Sequence, residues 1–211
     1  MARRRGGRGL GRDDGRRRAR HRSVPRAREE KVGMTRERRG LVLCYTGDGK
    51  GKTTAALGLT VRAVGAGLRV RLLQFIKGEW KPAELKGLAL LGAQFSMEQL
   101  GIGFVRYQAK HTMEEQIAAA EKAWTQARAE MQAGDCDVLI LDEINNAFRF
   151  GLLDPSPVVE ALRARPEALT VVLTGRGAPP AIVDEADLVT EMRMVKHPYQ
   201  QGRQAQYGID F

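Results

Sequence analysis

A run of fourteen residues, Leu41-Val-Leu-Cys-Tyr-Thr-Gly-Asp-Gly-Lys-Gly-Lys-Thr-Thr54, constrains this chain more than any other stretch. Leu41 to Tyr45 is apolar and reads as a buried strand. A glycine-rich turn follows, and from Lys52 the residues suit a helix. Strand, glycine loop and helix in that order is the context in which a loop cradles phosphate. Gly47, Gly49 and Gly51 open backbone conformations closed to residues with a Cβ, so successive N–H groups can converge on one anion. Asp48 and Lys50 lie between them. A helix starting near Lys52 adds its unsatisfied N–H groups and the positive end of its dipole. Lys52 brings a mobile charge to phosphate oxygens, and the Thr53 hydroxyl is placed to ligate Mg2+. The spacing G-x-x-x-x-G-K-[ST] ends regularly at Gly51-Lys52-Thr53, but its first position is Thr46 instead of glycine. A glycine turn without a ligand is the competing reading. The surrounding strand and helix favour a nucleoside triphosphate site.

A second landmark is Asp137-Val-Leu-Ile-Leu-Asp142-Glu143. An apolar strand ending in an acidic residue holds Mg2+, directly or through water, in many nucleotide enzymes. Alone the pattern is weak, because many strands end in aspartate to cap a following helix. Behind a phosphate loop it is informative. Asp142 and Glu143 are adjacent and point in different directions, so one of them is expected to face the metal. Asn145 and Asn146 read as local caps.

Between and beyond these landmarks the periodicity alternates. A first helix is expected to stop near Gly65 or Gly67, with a strand over 69–75, a short helix over 83–91 and a strand over 93–97. Thr112 with Glu115 makes a capping box. The helix it opens carries Met113, Ile117, Ala120, Trp124, Ala127 and Met131 as one apolar stripe, and Gly134 ends it. A helix over 157–165, a strand over 169–173, a helix over 180–186 and a strand over 187–194 follow. Thr174-Gly-Arg-Gly177 places Arg176 at a strand's carboxyl end, where a cation can meet phosphate. Ligands in open α/β sheets sit outside those ends. The expectation is an α/β fold: a single P-loop NTPase-like (RecA-like) domain over 41–211, its mostly parallel sheet flanked by helices on both faces. Neither His111 nor His197 has metal-like neighbours in sequence, and both read as structural.

The net charge of +10 invites a nucleic-acid partner, but its distribution argues otherwise. Residues 1–40 hold 16 lysines and arginines against 5 acidic residues, whereas 41–211 hold 19 against 20. The basic character belongs to an Arg- and Gly-rich extension over 1–40, expected to be disordered by itself. Met34, just ahead of the first strand, is an alternative natural start. Two cysteines, Cys44 and Cys136, make no disulfide framework. No apolar run reaches membrane-spanning length and no secretory h-region is present, so the expected compartment is the cytoplasm.

The residues so far lead to a domain binding Mg2+ and a nucleoside triphosphate, without naming a reaction. No base for activating water is evident beyond Glu143. Several stretches taken together resemble the ATP:cob(I)alamin adenosyltransferases of the P-loop class. They are Tyr45 to Ala56, Arg62-Ala-Val-Gly65, Gln74-Phe-Ile-Lys-Gly78, Leu141-Asp-Glu143, Leu173 to Gly177, Val195 to Tyr199 and Gly208 to Phe211. The likeness covers about 41–211. It implies alkylation: a reduced Co(I) corrinoid attacks the ribose C5′ of ATP, and inorganic triphosphate leaves. It implies that Gly47, Asp48, Gly49, Lys50, Gly51, Lys52 and Thr53 hold the triphosphate, with Lys52, Thr53 and Glu143 catalytic. Thr53 and Glu143 are its candidates for the Mg2+ shell, and Arg62 and Arg176 for further nucleotide contacts. The family's Gly-Phe-x-Trp stretch, which packs the corrinoid's lower face, corresponds to Gly103-Phe-Val-Arg106. Phe104 is kept for the corrinoid, Arg106 stands where the family has tryptophan, and Tyr107 is nearby. A homodimer and a reduced flavoprotein as electron donor are also implied. Two other readings compete: a P-loop ATPase that uses its basic tail on nucleic acid, and a nucleotide-gated corrinoid carrier without turnover.

Overall fold

Strands buried on both faces of a parallel sheet are apolar throughout instead of alternating with polar residues. Val42–Thr46 (β1), Val138–Asp142 (β4) and Thr170–Thr174 (β5) read that way apart from polar residues at their ends, and Val70–Gln74 (β2) departs from it at Arg71 and Gln74. The computed structural model describes residues 38–76, 84–103 and 111–209. These strands, with Phe95–Gln99 (β3) and Leu188–Glu191 (β6), form one six-stranded sheet in the order β3-β2-β4-β5-β1-β6. Every pairing is parallel.

Because successive side chains of a strand point to opposite faces, the sheet has two cores. One face carries Val42, Cys44, Leu73, Leu139, Leu141, Val171 and Leu173. It packs against Met113–Ala133 (α3), Ile144–Arg149 (α4), Ser156–Arg163 (α5) and Pro180–Glu185 (α6). The opposite face carries Leu43, Val70, Leu72, Val138, Ile140 and Val172, and Lys52–Gly65 (α1) covers it with Ala56 and Ala63. Helices on both faces of a parallel sheet is the P-loop NTPase-like arrangement expected, and the strand order sets β5 between the strands bearing the glycine loop and the acidic pair.

Most boundaries fall within two residues of the expected ones, and the differences have local causes. The segment expected as a helix over 83–91 is Glu84–Leu88 (α2) followed by a 3₁₀ turn, Ala89–Gln94. Gly92 at φ 70° and ψ −153° breaks it, and β3 starts only at Phe95. The α3 capping box is formed, with Thr112 Oγ1 accepting from Glu115 N–H and Glu115 Oε2 accepting from Thr112 N–H. Met113, expected on the buried stripe, is exposed, because the stripe begins one turn later, where Gln116, Ala120, Ala123 and Trp124 go inside. The last strand is shorter than expected. β6 pairs only with β1, and after Glu191 the chain turns across the glycine loop. At the other end, residues 38–40, expected to close the extension, are already tied to the domain. Arg38 Nη2 donates to Asp137 O at 2.8 Å, and Gly40 N–H donates to Glu167 O at 2.7 Å.

Gly58 lies in the middle of α1 with nothing within 4 Å of where a Cβ would stand. The glycine serves no close approach, so Gly58→Ala should stabilise the domain by about 0.5–1 kcal/mol, read from urea midpoints. Both cysteines are free. Burial raises the Cys44 thiol, partly offset by the Asn145 amide, and pushes Cys136 up to about 11. A raised thiol pKa means less thiolate at a given pH. Alkylation of Cys136 at pH 8 should therefore run at roughly a thousandth of its fully ionised rate and rise about tenfold per pH unit. Iodoacetamide labelling followed by peptide mass analysis checks this.

Candidate nucleotide site

The loop after β1 owes its path to two glycines in the left-handed region, Gly47 at φ 92° and Gly51 at φ 109°. The second is the residue immediately before α1. Thr46, which stands where the general pattern has glycine, is the last residue of β1. Its hydroxyl accepts from Ala178 N–H at 3.1 Å, which ties the glycine loop to the turn after β5. Met192, just past β6, closes over the loop: its carbonyl accepts from Gly49 N–H at 2.6 Å. A Cβ on Gly49 would stand 2.7 Å from that oxygen, and one on Gly47 would stand 2.4 Å from it.

Lys52 Nζ donates to Gly47 O at 2.7 Å and to Gly49 O at 2.6 Å, so its charge sits at the centre of the loop. Burial, and then the neighbouring Arg176 charge, hold its ammonium below the usual lysine value. Arg176 itself is exposed at the carboxyl end of β5, and its N–H is fixed by Asn146 Oδ1 at 2.7 Å. Asp48 pairs loosely with Arg149 at 3.7 Å, and Lys50 is exposed. The Arg176 charge thus acts on Lys52 from the end of β5, and Lys50 and Arg149 add further cations to the loop.

Asp142, fully buried at the end of β4, collects three donors. Thr53 Oγ1 reaches Oδ1 at 3.0 Å, Thr174 Oγ1 reaches Oδ1 at 2.6 Å, and Gln74 Nε2 reaches Oδ2 at 2.8 Å. A buried carboxylate is tolerated when its lone pairs are filled in this way. Of the two adjacent acids, Asp142 is therefore the one in contact with the Thr53 hydroxyl. Glu143 Oε2 accepts from Asn146 Nδ2 at 3.4 Å, its backbone N–H donates to Thr174 Oγ1 at 2.9 Å, and its charge acts on Lys52 in favour of the ammonium. Glu143 is also the one non-glycine residue with positive φ, 64°, among the described residues. A side chain held in that conformation costs on the order of 1–3 kcal/mol, and such residues cluster at functional sites.

The sequence-predicted residues separate into groups. Gly47, Asp48, Gly49, Lys50, Gly51, Lys52 and Thr53 form the loop and the start of α1, and Arg176 and Glu143 lie at the same sheet edge. Arg62 does not join them. It is exposed in the last turn of α1, ten residues beyond Lys52, which is about 15 Å along a helix axis. Phe104, with Arg106 and Tyr107, lies outside the described residues, as does Phe211. The sequence assigns no role to Gln74, Gln99, Thr174 or Met192, although Gln74 and Thr174 lie in two of the stretches that carry the resemblance, and Asn146 reaches beyond a local cap to Arg176 N–H. For Gln74 and Thr174 a signal exists: each is a polar residue at the last position of a strand whose core is apolar.

The family description "ATP:corrinoid adenosyltransferase BtuR/CobO/CobP" matches residues 38–211. The chain is 38% identical over 185 residues to the corrinoid adenosyltransferase of Pseudomonas aeruginosa, covering 87% of this chain and 89% of that one. It is 37% identical over 183 residues to the corrinoid adenosyltransferase of Escherichia coli, and 38% over 183 residues to the corrinoid adenosyltransferase CobA of Salmonella typhimurium. Both of these comparisons cover 87% of this chain and 91% of the relative. A match over nearly the whole domain, on top of a glycine loop and an acidic strand end set at one sheet edge, places this chain in the ATP:corrinoid adenosyltransferase family.

Proposed function

We propose that this enzyme transfers the 5′-deoxyadenosyl group of ATP to the Co(I) centre of a reduced corrinoid, with residues 47–53 holding the triphosphate as it leaves. The Co(I) electron pair forms the bond to C5′, the C5′–O bond breaks, and its electrons remain on the triphosphate. The observation that carries the reading is the placement of Lys52 on the Gly47 and Gly49 carbonyls with Arg176 beside it. When all three phosphates depart as one group, charge builds up along the whole chain of phosphates. Preorganised cations and N–H groups aimed there stabilise the transition state more than the ground state. Lys50 adds a further cation to the same loop.

The oxygen donors fit Mg2+, a hard cation that takes few protein ligands and keeps several waters. The Thr53 hydroxyl donates its hydrogen bond to Asp142, which leaves its oxygen lone pairs available, and Glu143 follows Asp142 at the same sheet edge. In this reading Thr53 and Glu143 hold the ion, and Asp142 orients Thr53 from behind. Bound there, Mg2+ would neutralise phosphate charge. Phe104 is assigned to the corrinoid by the family pattern. The same reading carries a homodimer, a reduced flavoprotein as electron donor and a cytoplasmic setting. Among the described residues, no helix is long and apolar enough to cross a membrane. The nucleic-acid ATPase alternative gains no support from the relatives, all of whose informative names specify corrinoid adenosylation.

An anaerobic assay with Mg-ATP and chemically reduced cobalamin tests the proposal. Adenosylcobalamin with stoichiometric triphosphate is the expected product pair. ADP and phosphate with an unchanged corrinoid spectrum would overturn it.

A further inference from the structure

Asp142, Gln74 and Gln99 stand in register across β4, β2 and β3, at the carboxyl ends of three adjacent strands. An ionised carboxylate only accepts hydrogen bonds, and this dictates the direction of everything beside it. Gln74 must turn its amide nitrogen to Asp142 Oδ2, at 2.8 Å, so its Oε1 is left to accept. Gln99 fills that acceptor with its own Nε2 at 3.0 Å. On the other side Thr53 donates to Oδ1 of the same carboxylate. An ordered line therefore runs from the first turn of α1, behind the glycine loop, to the end of β3.

The main chain follows the same route. Phe75 N–H donates to Asp142 O at 3.0 Å. Leu100 N–H and Gly101 N–H both donate to Gln74 O, at 2.9 and 3.3 Å, and Gly103 N–H donates to Ile76 O at 3.2 Å. Gly101 lies so close that a Cβ there would stand 2.3 Å from Phe75 O. Residues 100–103 are thus fastened to the strand whose glutamine is bonded to the acid that Thr53 touches. Gln74 is fully buried, and a buried amide stabilises nothing over an apolar residue unless both its ends are used. Both are used here, in one direction.

We propose that Gln74 and Gln99 are positioning residues that couple nucleotide at Thr53 to the placement of residues 100–103, so that corrinoid affinity depends on bound nucleotide. The inference rests on the corrinoid reading above, because residues 100–103 lead in sequence to Phe104. Nucleotide that engages Thr53 changes what its hydroxyl presents to Asp142. The two amides can pass that change on only by shifting as a row, since neither can reverse its donor and acceptor while Asp142 accepts from Thr53, Thr174 and Gln74.

The test measures the affinity of the full chain for cob(II)alamin, with no reductant present, with and without Mg-ATP. Protein fluorescence reports binding, and without Co(I) no transfer occurs. In the wild type, nucleotide should tighten corrinoid binding about fivefold or more, the range in which coupled sites ordinarily fall. In Gln99→Leu, which cuts the line at its half-buried end, that gain should fall below twofold, with ATP affinity in the absence of corrinoid changed less than twofold. Gln74→Leu, one link nearer the nucleotide, should abolish the same gain. Because coupling is reciprocal, the effect of corrinoid on ATP affinity must fall by the same factor. A wild type without nucleotide-dependent gain would overturn the inference, and so would a Gln99→Leu variant that keeps it. Parallel loss of both affinities with a lowered melting temperature would mark the glutamines as merely structural and overturn it too. The adenosylation assay separates the two levels: a wild type that makes adenosylcobalamin while Gln99→Leu retains full coupling removes this inference alone.

Discussion

Lys52→Ala should lower the rate of adenosyl transfer by about 10²–10³-fold, the loss typical of removing one preorganised charged donor from a developing anion. The Lys52 side chain is anchored inside the glycine loop, on the carbonyls of Gly47 and Gly49. Those carbonyls lie beside exposed residues of the loop, so water can replace the ammonium and the fold should stand. Melting temperature should thus move little while turnover collapses. Lys52→Arg should not restore activity, because a planar guanidinium cannot place a compact charge between the same two carbonyls. Wild-type activity carries a matching pH signature. Burial and the Arg176 charge lower the Lys52 pKa in the free protein, so kcat/KM for ATP, which reports the free enzyme, should fall at a lower pH than an ordinary lysine would require. Single-turnover kinetics under anaerobic conditions read both effects. Activity within fivefold of wild type in Lys52→Ala would remove the lysine from the chemistry.

Gly49→Ala should disable the site by a different route. The Gly49 N–H donates to Met192 O at 2.6 Å, and a Cβ would meet that oxygen at 2.7 Å and the Arg193 backbone at 2.8 Å. All of these are main-chain atoms, which cannot swing aside as a side-chain tip does. The loop or the segment after β6 must move, and overpacking of this kind costs about 1–3 kcal/mol. Since the loop's N–H groups must converge within tenths of an ångström to hold phosphate, ATP affinity should fall at least tenfold. Isothermal titration with Mg-ATP measures it, and Gly58→Ala, where no atom is near, is the matched control. Unchanged ATP affinity in Gly49→Ala would show that Met192 does not brace the loop.

Much of this molecule was legible before any coordinates. The β1 strand, the loop glycines and the start of α1 depend on conformations of contiguous residues, which the order of apolar, glycine and helix-forming side chains dictates. The same holds for the α3 capping box, whose two hydrogen bonds span three residues, and for Gly134, which ends that helix in the left-handed region. The apolar runs of β1, β4 and β5 required burial on both faces, and a parallel sheet with helices on either side is how that burial is achieved. Arg62 was not so legible: the family resemblance put it among the nucleotide contacts, and its exposed place in the last turn of α1 takes it away from the loop.

What tertiary structure decided is which side chains meet. Thr53 and Asp142 are 89 residues apart, Gln74 and Asp142 are 68 apart, and Gly49 meets a carbonyl beyond the last strand. No local pattern encodes such pairs, because they depend on strand order and register, where a shift of one residue would turn Gln74 to the opposite face. From the sequence, either acid of Asp142-Glu143 could have stood against the Thr53 hydroxyl. The register of β4 against β2 and β5, and the left-handed turn at Glu143, give that place to Asp142 and set Glu143 at the same edge beside Asn146.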